Sequence, residues 1–407
     1  MGMIHVDELD VDMVLDDNVM DINSRLLLAK GQKIQSKHIR IFKIWGITEV
    51  CVAGNNGREK IAESDIDPDT MERITEDTKT IFKHVDLSHP AIKELFRISV
   101  SYRSRHGILH THKNIPSTNG EDLKDHSICD VKKMIAQKGI KLPEMPSTAF
   151  ELNEVVADPR ASVHKIAEVV NKSPSLAALL LRIVNSSFYG FPSKIDSISR
   201  AVTLIGTREI TGLALGISIV NVFKDVPKDI LDMSSFLKHS LACGIISRIL
   251  AANKNLLQTE QLFVCGLLHD IGRLVIYQYF PDQAKTLLNL AATSDKVLYQ
   301  LENSCLGGKH TLIGKYLLKT WKLPLELENN VFYHHNPSAA HHPVKATIVH
   351  LADIMVNALG LGSSGERFVP PLDYKAWDNL GLSPGSFETT IRHATHQLAS
   401  LETFFQG

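Results

Sequence analysis

Apolar and polar positions change their rhythm twice along the chain. From about Ile4 to Val52 short apolar runs alternate with turn residues: Met13-Val14-Leu15, Arg25-Leu26-Leu27-Leu28 ahead of Gly31, and Ile47-Thr48-Glu49-Val50-Cys51-Val52. That is the pattern of short strands. Between them Ser36 to Lys43 has helical spacing and is closed by Gly46, so a small strand-rich module with one helix is predicted, ending at the turn Asn55-Asn56-Gly57. From Asp67 to about Lys113 the spacing becomes helical. Ile81 and Phe82, then Ile92, Leu95 and Phe96, recur at three and four residues, and Asp67-Pro68 and Ser88-His89-Pro90 each set a capping residue beside a proline able to start a helix. A loop over 114–122 and a further helix to about Lys138 complete this connecting region.

The third rhythm opens at Leu142-Pro143-Glu144-Met145-Pro146 and is helical throughout, with helices predicted over 147–157, 162–171, 173–185, 197–205, 207–223 and 232–252. Ser162 and Ser173-Pro174 are good starts, and Gly206 closes the fourth. Trp321 with Leu323-Pro324 closes a later helix that begins near His310. Few β-branched alternating runs interrupt the pattern, so the body is all-α.

Composition narrows the function classes. The chain has 407 residues, enough for two or three domains with a real core, and 44 Lys+Arg against 45 Asp+Glu leave a net charge of -1. Nothing global draws it to a nucleic-acid backbone or an anionic membrane. No run approaches the roughly 18 apolar residues that cross a bilayer, and no signal peptide is visible, so a cytoplasmic location is expected. Cys51, Cys129, Cys243, Cys265 and Cys305 are scattered and never spaced Cys-x-x-Cys, which argues against disulfides or a thiolate zinc site and for reduced packing residues. Met1-Gly2-Met3 and Leu401 to Gly407 have the character of cloning remnants and are set aside.

Candidate chemistry centres on Gly266-Leu267-Leu268-His269-Asp270-Ile271-Gly272-Arg273, an apolar run ending in His-Asp. Upstream lies His239; downstream come His310, His334-His335 and Asp353, each in or beside an amphipathic stretch. Imidazoles and carboxylates are what a divalent ion requires if it is to activate water. His239, His269, Asp270 and Asp353 form one candidate site, and His310, His334 and His335 a second. Adjacent His269 and Asp270 point about 100° apart on a helix, so they serve one centre only if the helix ends there, as Gly272 suggests; Asp270 then bridges two ions. The donors favour iron, manganese, zinc or nickel over calcium.

Four ordered motifs carry a resemblance: Leu142 to Pro146, Ile183 to Gly190 (Ile-Val-Asn-Ser-Ser-Phe-Tyr-Gly), Ile198 to Gly206 (Ile-Ser-Arg-Ala-Val-Thr-Leu-Ile-Gly) and Gly266 to Gly272. Together they resemble the HDOD domain, an all-helical bacterial output module related to HD phosphohydrolases and HD-GYP cyclic di-GMP phosphodiesterases. Residues 4–52 are similar to the small module that often precedes HD-GYP domains. The resemblance implies a mainly α fold: an all-helical HD-like domain with a small N-terminal α+β module and a helical linker, divided as 4–56, 65–138, 140–230 and 231–400. It places His239, His269, Asp270, His310, His334, His335 and Asp353 where HD-GYP proteins bind their ions, with Asp270 and Arg273 as candidates for catalysis. It also implies signal transduction, with a signalling protein or small nucleotide as partner and no DNA.

Three positions depart from that pattern. Asn336-Pro337-Ser338-Ala339-Ala340 replaces Gly-Tyr-Pro after the histidine pair, Arg273 stands where a phosphate-gripping lysine is common, and Ser235 stands where a glutamate would mark a third metal. Two functions stay open: a signalling output protein whose helical body binds a partner or small ligand, with a metal site serving stability or sensing, and a metal-dependent phosphohydrolase acting on a nucleotide or cyclic dinucleotide. A buried hydrogen-bond network is the plainer reading of the same histidines. His38, His164 and His350 are expected as core histidines, His341-His342 as a loop pair, Gly360 to Gly365 as a plain loop, Arg103 and Arg105 as a solvated helix end, and Tyr277, Tyr279 and Phe280 as core.

Overall fold

The computed structural model describes residues 2–6, 9–20, 26–44, 47, 49–53, 68–108, 143–158, 162–186, 189, 191, 193–223, 225–399 and 401. The expected closing Gly46, the turn at 55–57, the loop at 114–122, the helix to 138, Leu142 and residues 402–407 lie outside them.

The N-terminal module comprises β1 (Gly2–His5), β2 (Val19–Met20), β3 (Leu26–Leu28), α1 (Ser36–Ile44) and β4 (Glu49–Val52). β1 pairs antiparallel with β4, Gly2 opposite Val52 and His5 opposite Glu49, and β2 pairs antiparallel with β3. The strand expected at Met13 to Leu15 is reduced to isolated bridges, Val14 with Lys33 and Leu15 with Val52. Gly2 and Met3, set aside in the fold reading, lie in β1, opposite Val52 and Cys51. Val6, Leu15, Ile34, Phe42, Val50 and Val52 form a core of their own.

Helices make the rest: α2 (Pro68–Ile81), α3 (Pro90–His106), α4 (Ser147–Ala157), α5 (Val163–Asn171), α6 (Pro174–Asn185), α7 (Ile198–Ile205), α8 (Thr207–Val220), α9 (Met233–Asn253) and α10 (Thr259–Leu268). They continue with α11 (Ile271–Tyr279), α12 (Pro281–Ser294), α13 (Leu298–Leu306), α14 (His310–Thr320), α15 (Leu325–Tyr333), α16 (Pro343–Leu359), α17 (Tyr374–Leu380) and α18 (Ser386–Ala399). The starts follow local chemistry. Ser162, Ser173, Ser197 and Asp232 are N-caps whose side-chain oxygens accept from Lys165, Leu176, Arg200, and Ser234 with Ser235 respectively, satisfying backbone donors that a helix start leaves unpaired.

One apolar core runs from Ile81 to Leu401. α2 and α3 share it through Ile81, Phe82, Ile92 and Leu95, and the Ile81 carbonyl accepts from Val369 N at 2.8 Å. α9 is central, packing on α10, α16 and α18. It meets α10 without side chains between: a Cβ on Gly266 would lie 2.6 Å from the Cys243 carbonyl oxygen. A Cβ on Gly272 would lie 2.0 Å from the His310 carbonyl oxygen, so α11 and α14 also touch backbone to backbone. Any larger residue at either place forces the helices apart. No helix among the described residues is long and apolar enough to cross a membrane.

Arg103 departs from its solvated expectation. It is buried, and its Nε donates to the Ala358 carbonyl at 2.9 Å, closing the end of α16. His164, expected in the core, is exposed on α5, while His38 accepts from Gln35 N at the start of α1.

Candidate metal centre

The chain's direction changes at His269-Asp270. α10 stops at Leu268 and α11 starts at Ile271, with Asp270 between them at φ -98° and ψ 15°, the sparsely populated bridge region. That break lets adjacent side chains serve one place, as the sequence requires, but Gly272 is not its cap: Gly272 lies inside α11 and permits the approach of α14.

Five segments converge there. His239 comes from α9, His269 and Asp270 from the α10–α11 junction, His310 from the first turn of α14, His334-His335 from the end of α15, and Asp353 from α16. Two donor groups result, His239, Cys243, His269 and Asp353, and Asp270, His310, His334 and His335, each with ligand atoms within 4.8 Å of one another. Asp270 thus groups with the second set rather than the first.

The rings are aimed by what lies behind them. His269 Nδ1 donates to the Gly266 carbonyl and His334 Nδ1 to the Val331 carbonyl, both at 2.7 Å. His310 Nδ1 lies 2.7 Å from both oxygens of the buried Glu302. A carbonyl or carboxylate can only accept, so in each neutral ring Nε2 is a bare lone pair directed inward. These nitrogens converge: His310 Nε2 lies 3.3 Å from His334 Nε2, and His269 Nε2 lies 3.4 Å from Nε2 of His239, whose own buried Nδ1 has no hydrogen-bond partner among the described residues. Asp353 Oδ1 stands 3.4 Å from His239 Nε2 and 3.5 Å from His269 Nε2.

Donors about 2.0–2.2 Å from one tetrahedrally bound ion stand about 3.3–3.6 Å apart, which is the spacing of the first group. Acceptors so placed repel unless a cation or protons lie between them. The donor set fits a divalent ion.

Asp270 faces both groups. Its Oδ2 is 3.3 Å from His269 Nε2, and its Oδ1 is 3.0 Å from His310 Nε2.

Electrostatics follow the same division. Burial alone would lower His269, but Asp270 and Asp353 overcome it and raise the ring to about 10; His310 is likewise raised against burial, chiefly by Glu302. Burial, reinforced by neighbouring imidazoles, drives His334 and His335 well below the usual histidine range. Burial would raise Asp270, yet Arg273, His269 and His310 hold it well below the carboxylate range. Three buried carboxylates, Asp270, Asp353 and Glu302, therefore favour positive charge on His269 and His310, and a divalent cation at the same place would supply that charge while leaving the rings neutral.

Arg273 does not face outward. It is buried, its Nη1 donates to Ser364 Oγ at 3.0 Å, and its Nε lies 3.4 Å from Asp270 Oδ1 and 3.6 Å from Glu302 Oε1. Tyr277 donates to the Ser364 carbonyl at 2.8 Å. The Gly360 to Gly365 loop is thus packed on the site: Ser363 N donates to the Ser235 carbonyl, and a Cβ on Gly362 would lie 2.3 Å from that same oxygen. Glu366, just beyond, is raised by burial to about 7 although Arg273 opposes the shift. His350 is the satisfied core histidine expected, its Nδ1 donating to the His334 carbonyl and its Nε2 accepting from Asp373 N.

Sequence reasoning missed Cys243, Glu302, Ser364 and Glu366. Cys243 had a signal, since it follows His239 by four residues, one helical turn. Glu302 had none; in Leu298-Tyr299-Gln300-Leu301-Glu302 it has the pattern of an ordinary helix acid.

The HDOD domain family model matches residues 142–337. That stretch is an HDOD domain. An uncharacterized protein of Treponema pallidum is 25% identical over 204 residues, 50% of this chain, which spans 39% of that relative's length. Among solved structures, an HDOD domain protein of unknown function from Geobacter sulfurreducens is 21% identical with TM-score 0.56, covering 68% of this chain and 95% of that one. A provisionally named phosphohydrolase from Shewanella amazonensis is 22% identical with TM-score 0.54, covering 67% and 98%. A provisionally named signal transduction protein from Marinobacter aquaeolei is 23% identical with TM-score 0.54, covering 67% and 61%. At these identities the likeness to solved structures is one of fold. It agrees with the helical body around the HDOD domain.

Proposed function

We propose that this chain is a signal-transduction output protein whose HDOD body holds two divalent ions, with His239, His269 and Asp353 on one, His310, His334 and His335 on the other, and Asp270 between them. The supporting observation is Asp270, which turns one carboxylate oxygen toward each histidine group. Iron, manganese, zinc or nickel suits these donors. Nearly complete burial of the donors favours ions that organise the body over ions open to a substrate. In this reading Arg273 positions Asp270 and gives up the phosphate-gripping part expected of it.

A metal-dependent phosphohydrolase is the alternative, and one observation favours it. His335 is half-buried at the edge of the second group, with the Tyr299 ring 4.1 Å away and Lys309 donating to the Tyr299 hydroxyl at 2.7 Å. A phosphate arriving there would meet a cation and a phenol. Ions bound to the second group would supply Lewis acidity and an activated water.

Metal analysis of the purified full chain, followed by assay with a chromogenic phosphodiester and with cyclic di-GMP, separates the readings. We expect close to two ions per chain, lost in Asp270→Ala, without turnover. Turnover that Asp270→Ala abolishes would establish the phosphohydrolase instead, and a wild-type chain that retains no ion overturns both.

A further inference from the structure

Cys243 gives the two donor groups different characters. It lies on α9 one turn after His239, fully buried, with Sγ 3.8 Å from His239 Nε2 and within the 4.8 Å circle that holds His269 and Asp353. Its placement is enforced by the backbone, because the Cys243 carbonyl lies under Gly266, where no side chain intervenes between α9 and α10. The same turn of α10 carries the Gly266 carbonyl that orients His269. Around this place, two imidazole nitrogens and the Asp353 oxygen stand at mutual distances of 3.4–3.5 Å, Asp270 Oδ2 lies 3.3 Å from His269 Nε2 and 3.8 Å from His239 Nε2, and Sγ is a fifth donor.

We infer that Cys243 is a fifth protein ligand of the first ion position, beside His239, His269, Asp353 and the Asp270 oxygen turned toward it, closing that position with no coordination place left for water or substrate. An ion saturated by protein ligands is structural; a hydrolytic one keeps a place open. The second group has no sulfur donor, and its His335 reaches the half-exposed edge. Any exchangeable ligand or chemistry therefore belongs to the second position. Sulfur also separates the two in preference: the first position favours zinc or another thiophilic ion, while the second suits harder ions such as manganese or iron. On binding, the Cys243 thiol loses its proton to solvent and the sulfur donates to the ion, with no change in oxidation state.

This inference rests on the binuclear reading and is tested apart from it. The full chain is stripped with a chelator and loaded with cobalt(II), whose absorption reports thiolate ligation through a near-ultraviolet sulfur-to-metal band. We expect that band in the wild-type chain, its loss in Cys243→Ser, and its retention in Cys265→Ser, which alters a buried cysteine bonded instead to Asn330. Cys243→Ser should also weaken one of the two zinc affinities by about tenfold or more while circular dichroism stays helical. Cobalt bound without the band, or a band that survives Cys243→Ser, overturns the sulfur ligand and leaves the binuclear reading standing. No bound cobalt at all overturns both. Should Cys243→Ser fail to fold, Cys243→Ala and the wild-type band together decide the question.

Discussion

The two halves of the helical body are built on different physics. In α4–α8 the core is aliphatic: Ala149, Leu152, Ile166, Val170, Leu180, Ile183 and Ile210 are buried, and the polar groups among them are served within their own turns, Ser186 by the Ile183 carbonyl and Thr211 by the Thr207 carbonyl. In α9–α18 the core contains His239, His269, Asp270, Arg273, Glu302, His310, His334, Asp353 and Glu366, several of them meeting across distant stretches of chain, as His239 meets Asp353 and Arg273 meets Ser364. Apolar packing has no required partner; a buried charge has several. One half is therefore held by volume alone, and the other adds to its apolar packing a charge balance that a bound cation would complete.

The largest effect expected is at that balance. Asp270→Ala takes a carboxylate from beside buried Arg273 and from both histidine groups, and should destabilise by about 3–5 kcal/mol. Chelator should lower the melting temperature of the wild type and leave that of Asp270→Ala unmoved; equal shifts in both would show that the ion does not sit at this carboxylate. In the aliphatic half, Leu180→Ala should cost about 3 kcal/mol, measured by urea unfolding, with metal content unchanged. Loss of metal in that variant would erase the distinction between the halves.

A smaller effect concerns His393 on α18, which burial, aided by Arg392 and His396, lowers to about 4. Its folded value lies below the ordinary one, so its contribution is present above about pH 6.5 and lost as pH falls toward 4, amounting to at most about 3 kcal/mol at about 1.4 kcal/mol per unit. His393→Gln should flatten the pH dependence of unfolding across that window; a slope equal to wild type would remove His393 from the account. The smallest effect belongs to exposed Arg97, which pairs with Glu94 and Glu388. Arg97→Ala should change stability by less than about 1 kcal/mol and diminish further in salt.

Legibility in the sequence tracked how local the cause was. Ser162, Ser173, Ser197 and Asp232 announce their helices because a cap acts over three residues. The histidine and aspartate positions could be collected from their residue types and order, and the coordinates bring their side chains together. Their division could not be collected, since the grouping of Asp270 with His310 depends on the break at the α10–α11 junction and on the contact at Gly272. Ser364 meets Arg273 across 91 residues, and Arg103 meets Ala358 across 255. No periodicity records such pairs. The strand at Met13 to Leu15 failed for the opposite reason: its alternation is right, but the neighbouring backbone offers only single bridges.

Gly272 sets a gauge. Because α11 meets α14 main chain to main chain at the His310 carbonyl, the span from Asp270 to His310 is fixed by peptide geometry and owes nothing to side-chain bulk. In the proposed binuclear reading, donors could be exchanged one at a time, altering appetite for a given element, while the distance separating the two histidine groups would persist. Widening that single residue would spoil the interval at a stroke, with every donor still in place.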